Sequence, residues 1–400
     1  MSTTPTADSP RDSAQISTEQ EVNAVEVEAA YDEADDDDPA DISAAAEQDR
    51  ASIKDFVSGL RFDEIKNGEW FAKLLTVSLA TYEKKVDWKY FQDKYKGVPA
   101  DAIVDQRIKL AARYAGIEGG LSAAAYTGAV VATLGTAGGA SPILIPTAVA
   151  TIMVDVAYLS QLQLRLAYDI AVLYRVPLDL EDPEDLWKLI RVAFTIKGGE
   201  LAREGVIKFI PALVRPLVKK FFSGAVLTSA KSLPVVGRFL LQRNVIKVGI
   251  PGVGIPLGVL LNRWTTVIAG RHARSTFRNE ARVIEVAQRV TREGARVELK
   301  LWIAWVAITA DGRISDDEAL LMRHLTRIAR ERHGVDASHL AEVIEVDIDE
   351  FWALLGAGSE DLDRIAELAR AVASIDGEIN AKEQTFLDEL ELRCGSASRN

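Results

Sequence analysis

The chain has 400 residues, a formal net charge of −12, 26% charged residues and 48% hydrophobic residues. That length suits about two or three domains, and the apolar content is enough for a sizeable core. The single cysteine, Cys394, excludes a disulfide framework. With no cationic start leading into an apolar run, no signal peptide is visible, so a reducing, cytoplasmic setting is expected.

Charge is segregated into three blocks. Residues 1–50 hold 15 acidic and 2 basic side chains, 51–296 hold 22 and 34, and 297–400 hold 22 and 11. Such asymmetry points to modules with different partners. The first block is rich in Ser, Thr, Ala, Asp and Glu, includes the run Asp35–Asp38, and has too little apolar surface to offset chain entropy. It is expected to be a disordered tail, either solubilising or folding back as a pseudo-ligand on the basic block.

In the middle block, 36 residues from Gly119 to Val154 carry no charge. The run is longer than the roughly 20 residues of a membrane-spanning helix, but Gly135, Gly138, Gly139, Pro142 and Pro146 break it. It reads as a tight helical hairpin, either re-entrant in a membrane or buried in a bundle. Ala124, Gly128 and Ala132 would line a face that lets another backbone approach closely. The second arm continues through Leu159, Leu162, Leu166, Ile170 and Leu173 at helical spacing. Asp155, Arg165 and Asp169 lie along that helix. They are expected to face solvent, with a buried functional carboxylate pair as the alternative. After Val176-Pro177, Asp182 is placed to cap a helix that opens with Pro183.

From Gly205 to Asn279 there is no aspartate or glutamate for 75 residues, against twelve lysines and arginines. A cationic yet apolar segment suits a phospholipid leaflet, and a basic helical domain whose charges coat its rim is the rival. Within it, residues 248–258 are rich in Gly and Pro, but no Gly-Lys-Ser/Thr follows and the prolines remove amide donors, so it is not a phosphate loop. A helix is expected to resume after Pro256. Along it Arg271, Arg274, Arg278 and Arg282 recur at three- and four-residue steps, forming a basic stripe for membrane or phosphate contact. Nucleic acid is not the expected partner, because the aromatics are few and not interleaved as a stacking platform.

This block resembles the EcsC family over roughly residues 60–290. The likeness rests on Ile117-Glu118-Gly119-Gly120 before the Gly-rich hairpin, on Ile170–Arg175 followed by Asp182-Pro183-Glu184-Asp185, and on the Gly-Ile-Pro-Gly-Val-Gly stretch leading to Asn262. It implies work at a membrane, next to a transport system, and supplies no active-site residues.

The last block contains a duplication. Ala310-Asp311-Gly312-Arg313-Ile314-Ser315-Asp316-Asp317-Glu318 matches Ile375-Asp376-Gly377-Glu378-Ile379-Asn380-Ala381-Lys382-Glu383. Gly312 and Gly377 fit left-handed residues that end helices, Ser315 and Asn380 fit N-caps, and Glu318 and Glu383 complete capping boxes. Capping explains every residue except the aspartates. Only the second half of an EF-hand loop is present, so a standalone calcium loop is not expected. A composite site remains open, with Asp311, Glu318, Asp376 and Glu383 converging on a divalent cation such as Ca²⁺ or Mg²⁺. The duplicated turn resembles the TerB-like family of tellurite-resistance proteins over roughly 297–395. That likeness implies an all-helical domain and divalent metal at those four positions, less so at the second turn, where Lys382 replaces Asp317. His324, His333 and His339 have no zinc-site spacing, and Trp302 and Trp305 read as core anchors.

The expected whole is an all-α protein with a tail (1–50), a basic hydrophobic module (51–296) and an acidic helical domain (297–400). No P-loop, nucleophile elbow, His-Glu-x-x-His or Cys/His constellation is present, and an enzyme is not expected. The reading is a peripheral adaptor or stress-response factor at the inner membrane, meeting anionic lipid and a transporter or stress-complex protein. The alternative is a soluble, metal-dependent interaction module.

Overall fold

In the computed structural model the protein is all-α, with no strand among the described residues. Described are residues 39–79, 82–135, 144–196, 234, 236–238, 240, 254–292, 296–335, 348–356 and 362–397. The acidic run at 35–38, most of the acid-free stretch before residue 254, and Gly138, Gly139, Pro142 and His339 lie outside them.

Helix α1 (Pro39–Ser58) begins inside the stretch expected to be a disordered tail. Ile42, Ala45, Ala46, Asp49, Ile53 and Val57 follow one helical face and are buried. The composition of residues 1–50 as a whole hid this periodicity, because the acidic residues outnumber the apolar ones that pack. Four short helices follow: α2 (Phe62–Asn67), α3 (Trp70–Ser78), α4 (Tyr82–Lys85) and α5 (Trp88–Lys94). Then come α6 (Ala100–Gly135), α7 (Leu144–Leu173), α8 (Pro183–Ala193) and the 38-residue α9 (Gly254–Thr291).

The chain forms two compact units, the first including residues up to Ser275 of α9 and the second those from Thr276 onward. In the first unit α7 is the axis, packed by α1, α3, α5, α6 and α8. Its residues from Met153 to Leu173 are buried on nearly every side, as a helix apolar all round must be. It ends where Arg175 turns left-handed at φ +56°, with Val176 N–H donating to the Ala171 carbonyl at 2.9 Å. The Arg175 guanidinium lies 4.2 Å from the centre of the Trp88 ring, covering this unusual cap. Asp182 caps α8 by accepting from Glu184 N–H, with Pro183 in the first turn, as its sequence requires. Among the described residues, no helix is long and apolar enough to cross a membrane.

Of the small-residue face expected at Ala124, Gly128 and Ala132, Ala124 is exposed, and the surroundings of Gly128 and Ala132 lie outside the described residues. A close backbone approach occurs between Gly119 of α6 and Gly258 of α9: a Cβ on Gly119 would lie 2.4 Å from the Gly258 carbonyl oxygen, and one on Gly258 2.5 Å from the Gly119 oxygen. Glycine at both positions is what lets the helices touch.

The second unit contains the end of α9, α10 (Val297–Thr309), α11 (Asp316–His333), α12 (Ile348–Gly356), α13 (Leu362–Ala373) and α14 (Ala381–Ala397). Here α10 is central, with α11, α12, α13 and α14 packed against it. Leu301, Ile303, Ala304, Ala307 and Ile308 form its buried core with Leu321, Leu325, Phe351, Val372 and Leu390. Trp302 and Trp305 pack against this core, and Phe351, Trp352 and Phe386 cluster with ring centroids 4.9 to 6.1 Å apart.

Candidate functional site

Three constellations have the chemistry to bind or switch, and the first is hidden in the α7 axis. Asp169 is fully buried, not solvent-facing as expected. It accepts from Arg107 Nε at 2.9 Å, from Arg107 Nη2 at 2.7 Å and from Tyr82 Oη at 2.7 Å. Arg165, also buried, lies 5.2 Å from the centre of the Tyr82 ring. An aspartate in the middle of an apolar helix survives burial only when its charge is matched and its lone pairs are used. Two guanidinium N–H groups on one carboxylate oxygen and the phenol of α4 on the other supply both. Asp155, 14 residues earlier, instead accepts from Asn262 Nδ2 of α9 at 2.9 Å, so the two aspartates do not form a pair.

Glu118 is another buried acid of this unit. Arg50 of α1 pairs with it at 2.9 Å and Ser122 Oγ donates to it at 2.6 Å. Burial pushes its carboxyl up to about 7, outweighing the opposing pull of the Ser122 hydrogen bond and Arg50, while Asp155 adds to the rise.

The arginine stripe of α9 divides by partner. In the first unit, Arg274 is half-buried and donates to Asp105 at 2.7 Å and Asp101 at 3.4 Å. Tyr174 Oη also donates to Asp101, at 2.5 Å. Burial, with this hydrogen bond, pushes the Tyr174 phenol up to about 12. Arg271 is exposed, as is Arg263 two turns earlier. In the second unit, Arg282 donates to the Ile375 carbonyl at 2.7 Å and to Asp317 at 3.3 Å, while Arg278 is exposed. Arg274 and Arg282 therefore brace the fold, and in the first unit the outward charge of the stripe is that of Arg271.

The duplicated turns of the second unit lie against each other. Gly312 and Gly377 are left-handed at φ +79° and +95°. Ser315 N–H donates to Glu318 and Glu318 N–H to Ser315 Oγ; Asn380 and Glu383 exchange the same two bonds. Both capping boxes expected from the sequence are thus formed. The aspartates, which capping left unexplained, each accept from a backbone amide two residues on, Asp311 from Arg313 and Asp376 from Glu378. Asn380 Nδ2 also donates to Asp311 at 3.1 Å, and Lys382 Nζ to the Asp311 carbonyl at 3.4 Å, cross-bracing the turns.

No family model, curated protein or solved structure matches this chain. The likenesses to EcsC and TerB-like proteins rest on the residues quoted for them, and the chemistry must be read from geometry.

For the acidic turns, that geometry is electrostatic proximity without a preformed cage. Burial raises the Glu318 carboxyl, opposed by its Ser315 bonds, and Asp376 and Glu383 raise it further. Glu383 is raised likewise by burial and by Asp311 and Asp376, against its Asn380 bonds. Glu318 and Glu383 thus feel neighbouring carboxylates, and oxygen donors of this kind suit a hard cation. Among the described residues, however, no group of three or more His, Cys, Asp or Glu side chains is placed to hold a metal ion. His324 is held at 3.2 Å by buried Glu280, and His333 closes α11.

Sequence reasoning missed one exposed feature. Leu260 and Trp264 are each 62% exposed and Ile268 is 39% exposed, on successive turns of α9 beside Arg263 and Arg271. The i, i+4, i+8 spacing was legible. Which way that face pointed was not, because an apolar stripe is ordinarily the buried one.

Proposed function

We propose that this protein is a non-enzymatic adaptor at an anionic membrane surface. The first unit would dock on lipid headgroups, and the second would bind a protein partner, such as a transporter or stress-complex component. The observation that carries the reading is the outward cationic face of α9. Arg263 and Arg271 are exposed within a 75-residue stretch free of carboxylates, so lipid phosphates would meet positive charge contributed by this helix. Arg274 supports the same reading by its exception: the one stripe arginine of this unit that turns inward does so to meet Asp101 and Asp105, which come from outside the acid-free stretch.

Flotation of the full chain with vesicles tests this. Binding to phosphatidylglycerol-containing vesicles, absent on pure phosphatidylcholine and weakened between 0.1 and 0.5 M salt (on the order of a halving of the Debye length), is the expected result. Recovery in the soluble fraction with every lipid would remove the adaptor reading.

A second reading is a soluble interaction module governed by a divalent cation at the acidic turns. It is favoured by the two turns lying against each other, joined by the Asn380 bond to Asp311, with Glu318 and Glu383 raised by burial and then by neighbouring carboxylates. A cation there would relieve that repulsion and would displace the Asn380 and Lys382 braces from Asp311. Calorimetric titration with Ca²⁺ and Mg²⁺ decides it: heat in the wild type that is lost in Asp311→Ala supports a cation, and no heat in either protein excludes one.

A further inference from the structure

The membrane-surface reading leaves open which side chains would enter the leaflet, and the inference drawn here rests on that reading. We infer that Leu260, Trp264 and Ile268 of α9 form the lipid-inserting edge of the first unit, with Arg263 and Arg271 holding anionic phosphates along one flank of it.

Three observations carry it. First, of the eight large hydrophobic residues exposed among the described residues, three stand on consecutive turns of this one helix face. The other five, Phe62, Val77, Val98, Ile379 and Leu392, form no such row. Scattered exposed apolar residues need no explanation; an aligned set with an exposed tryptophan does.

Second, the opposite side of α9 is already occupied. Asn262 bonds Asp155, Gly258 meets the backbone of Gly119, and Gly270 sits against Ile108 and Leu166, while Thr266, Ala269 and Ala273 are buried. Rolling the helix to bury Leu260, Trp264 and Ile268 would break every one of these contacts. The outward placement is therefore enforced by packing, and the exposed edge is not a misplaced piece of core.

Third, the charges that α9 itself places beside the edge are positive. Arg263 and Arg271 are exposed on the same side of the helix, and no carboxylate occurs in the sequence from Gly205 to Asn279. A row of Leu, Trp and Ile beside arginines suits the headgroup boundary, where the indole sits at the level of the glycerol and guanidinium groups bind phosphate bidentately. Three side chains in a row cover far less than the roughly 800 Å² per partner of a stable protein interface, which disfavours a second copy or another protein as the occupant. The helix would lie in the plane of the surface with its edge about 5–10 Å deep, not across the bilayer.

The test compares full-length wild type with Leu260→Ser/Trp264→Ser/Ile268→Ser in flotation on 30% phosphatidylglycerol vesicles (roughly the anionic fraction at which surface charge attracts basic segments). These are surface positions, so circular dichroism and the melting midpoint should be unchanged. The expected outcome is a fall in vesicle partitioning on the order of tenfold or more, since binding scales with inserted apolar area. If the wild type floats and the triple variant floats equally well, the inserting edge lies elsewhere and the membrane reading stands. If the wild type does not float, both fall. If the substitutions instead convert a dimer to a monomer in size-exclusion chromatography without changing flotation, the row is a self-association surface and the inference is overturned.

Discussion

The first unit encloses Arg107, Asp169, Arg165 and Glu118 among apolar side chains of α4, α6 and α7, whereas the second unit keeps Glu318 and Glu383 at helix N-termini, where backbone amides hold them. The same residue types thus have opposite structural consequences. A buried ion pair costs desolvation and specifies which helices meet; a capping carboxylate satisfies orphan N–H groups locally and can be lost at modest cost. The Asp169 network should accordingly be brittle toward single charge changes, and the hydroxyl cap of α11 more tolerant of substitution.

The sharpest way to break this contrast is Asp169→Ala. It leaves the Arg107 guanidinium buried without its carboxylate, and the expected loss is about 3–5 kcal/mol in chemical denaturation of the first unit. The double variant Arg107→Met/Asp169→Leu should recover much of it, because what costs most is the uncompensated charge. A single variant no less stable than wild type would show that the pair does not organise the α7 axis.

Glu118 gives the next largest effect. Its folded carboxyl titrates near 7 against an ordinary 4.5, so the folded chain holds this proton more tightly than the unfolded one. Its contribution is fully present below 4.5 and is lost as pH rises through 7, amounting to about 3 kcal/mol across that window. Stability measured from pH 4.5 to 8 should fall less steeply in Glu118→Gln than in wild type. Parallel curves would mean that Arg50 keeps the carboxylate ionised throughout.

Gly119→Ala is a steric test of the same unit. Its Cβ would fall against the Gly258 carbonyl, and a cost of about 1–3 kcal/mol is expected from melting midpoints. The smallest effect belongs to the second unit, where Ser315→Ala removes the cap of α11 and should cost about 1 kcal/mol. If Ser315→Ala proved as damaging as Asp169→Ala, the contrast between the two units would fail.

What the sequence disclosed, and what it concealed, follows the range of the forces involved. The Asp182-Pro183 start, the glycines at 312 and 377 and both capping boxes act over four residues or fewer, and all were legible. Asp169 was misjudged because its partners, Arg107 and Tyr82, are 62 and 87 residues away. A carboxylate in isolation reads as solvent-facing until its counter-ion is located. Gly119 was quoted for its motif, yet its role depends on Gly258, which no local pattern connects to it. The start of α1 at Pro39 was obscured by the acidic composition around a short apolar face. The row at Leu260, Trp264 and Ile268 was visible as periodicity, but its outward orientation is set by what the other side of α9 touches.

The most direct measurement of the central claim places an environment-sensitive fluorophore at Trp264→Cys in a Cys394→Ser background and adds vesicles. A blue shift of the emission with anionic vesicles, absent with neutral ones and reversed by salt, is the result this account predicts. Emission that stays at its aqueous wavelength while the protein is bound to anionic vesicles would contradict it.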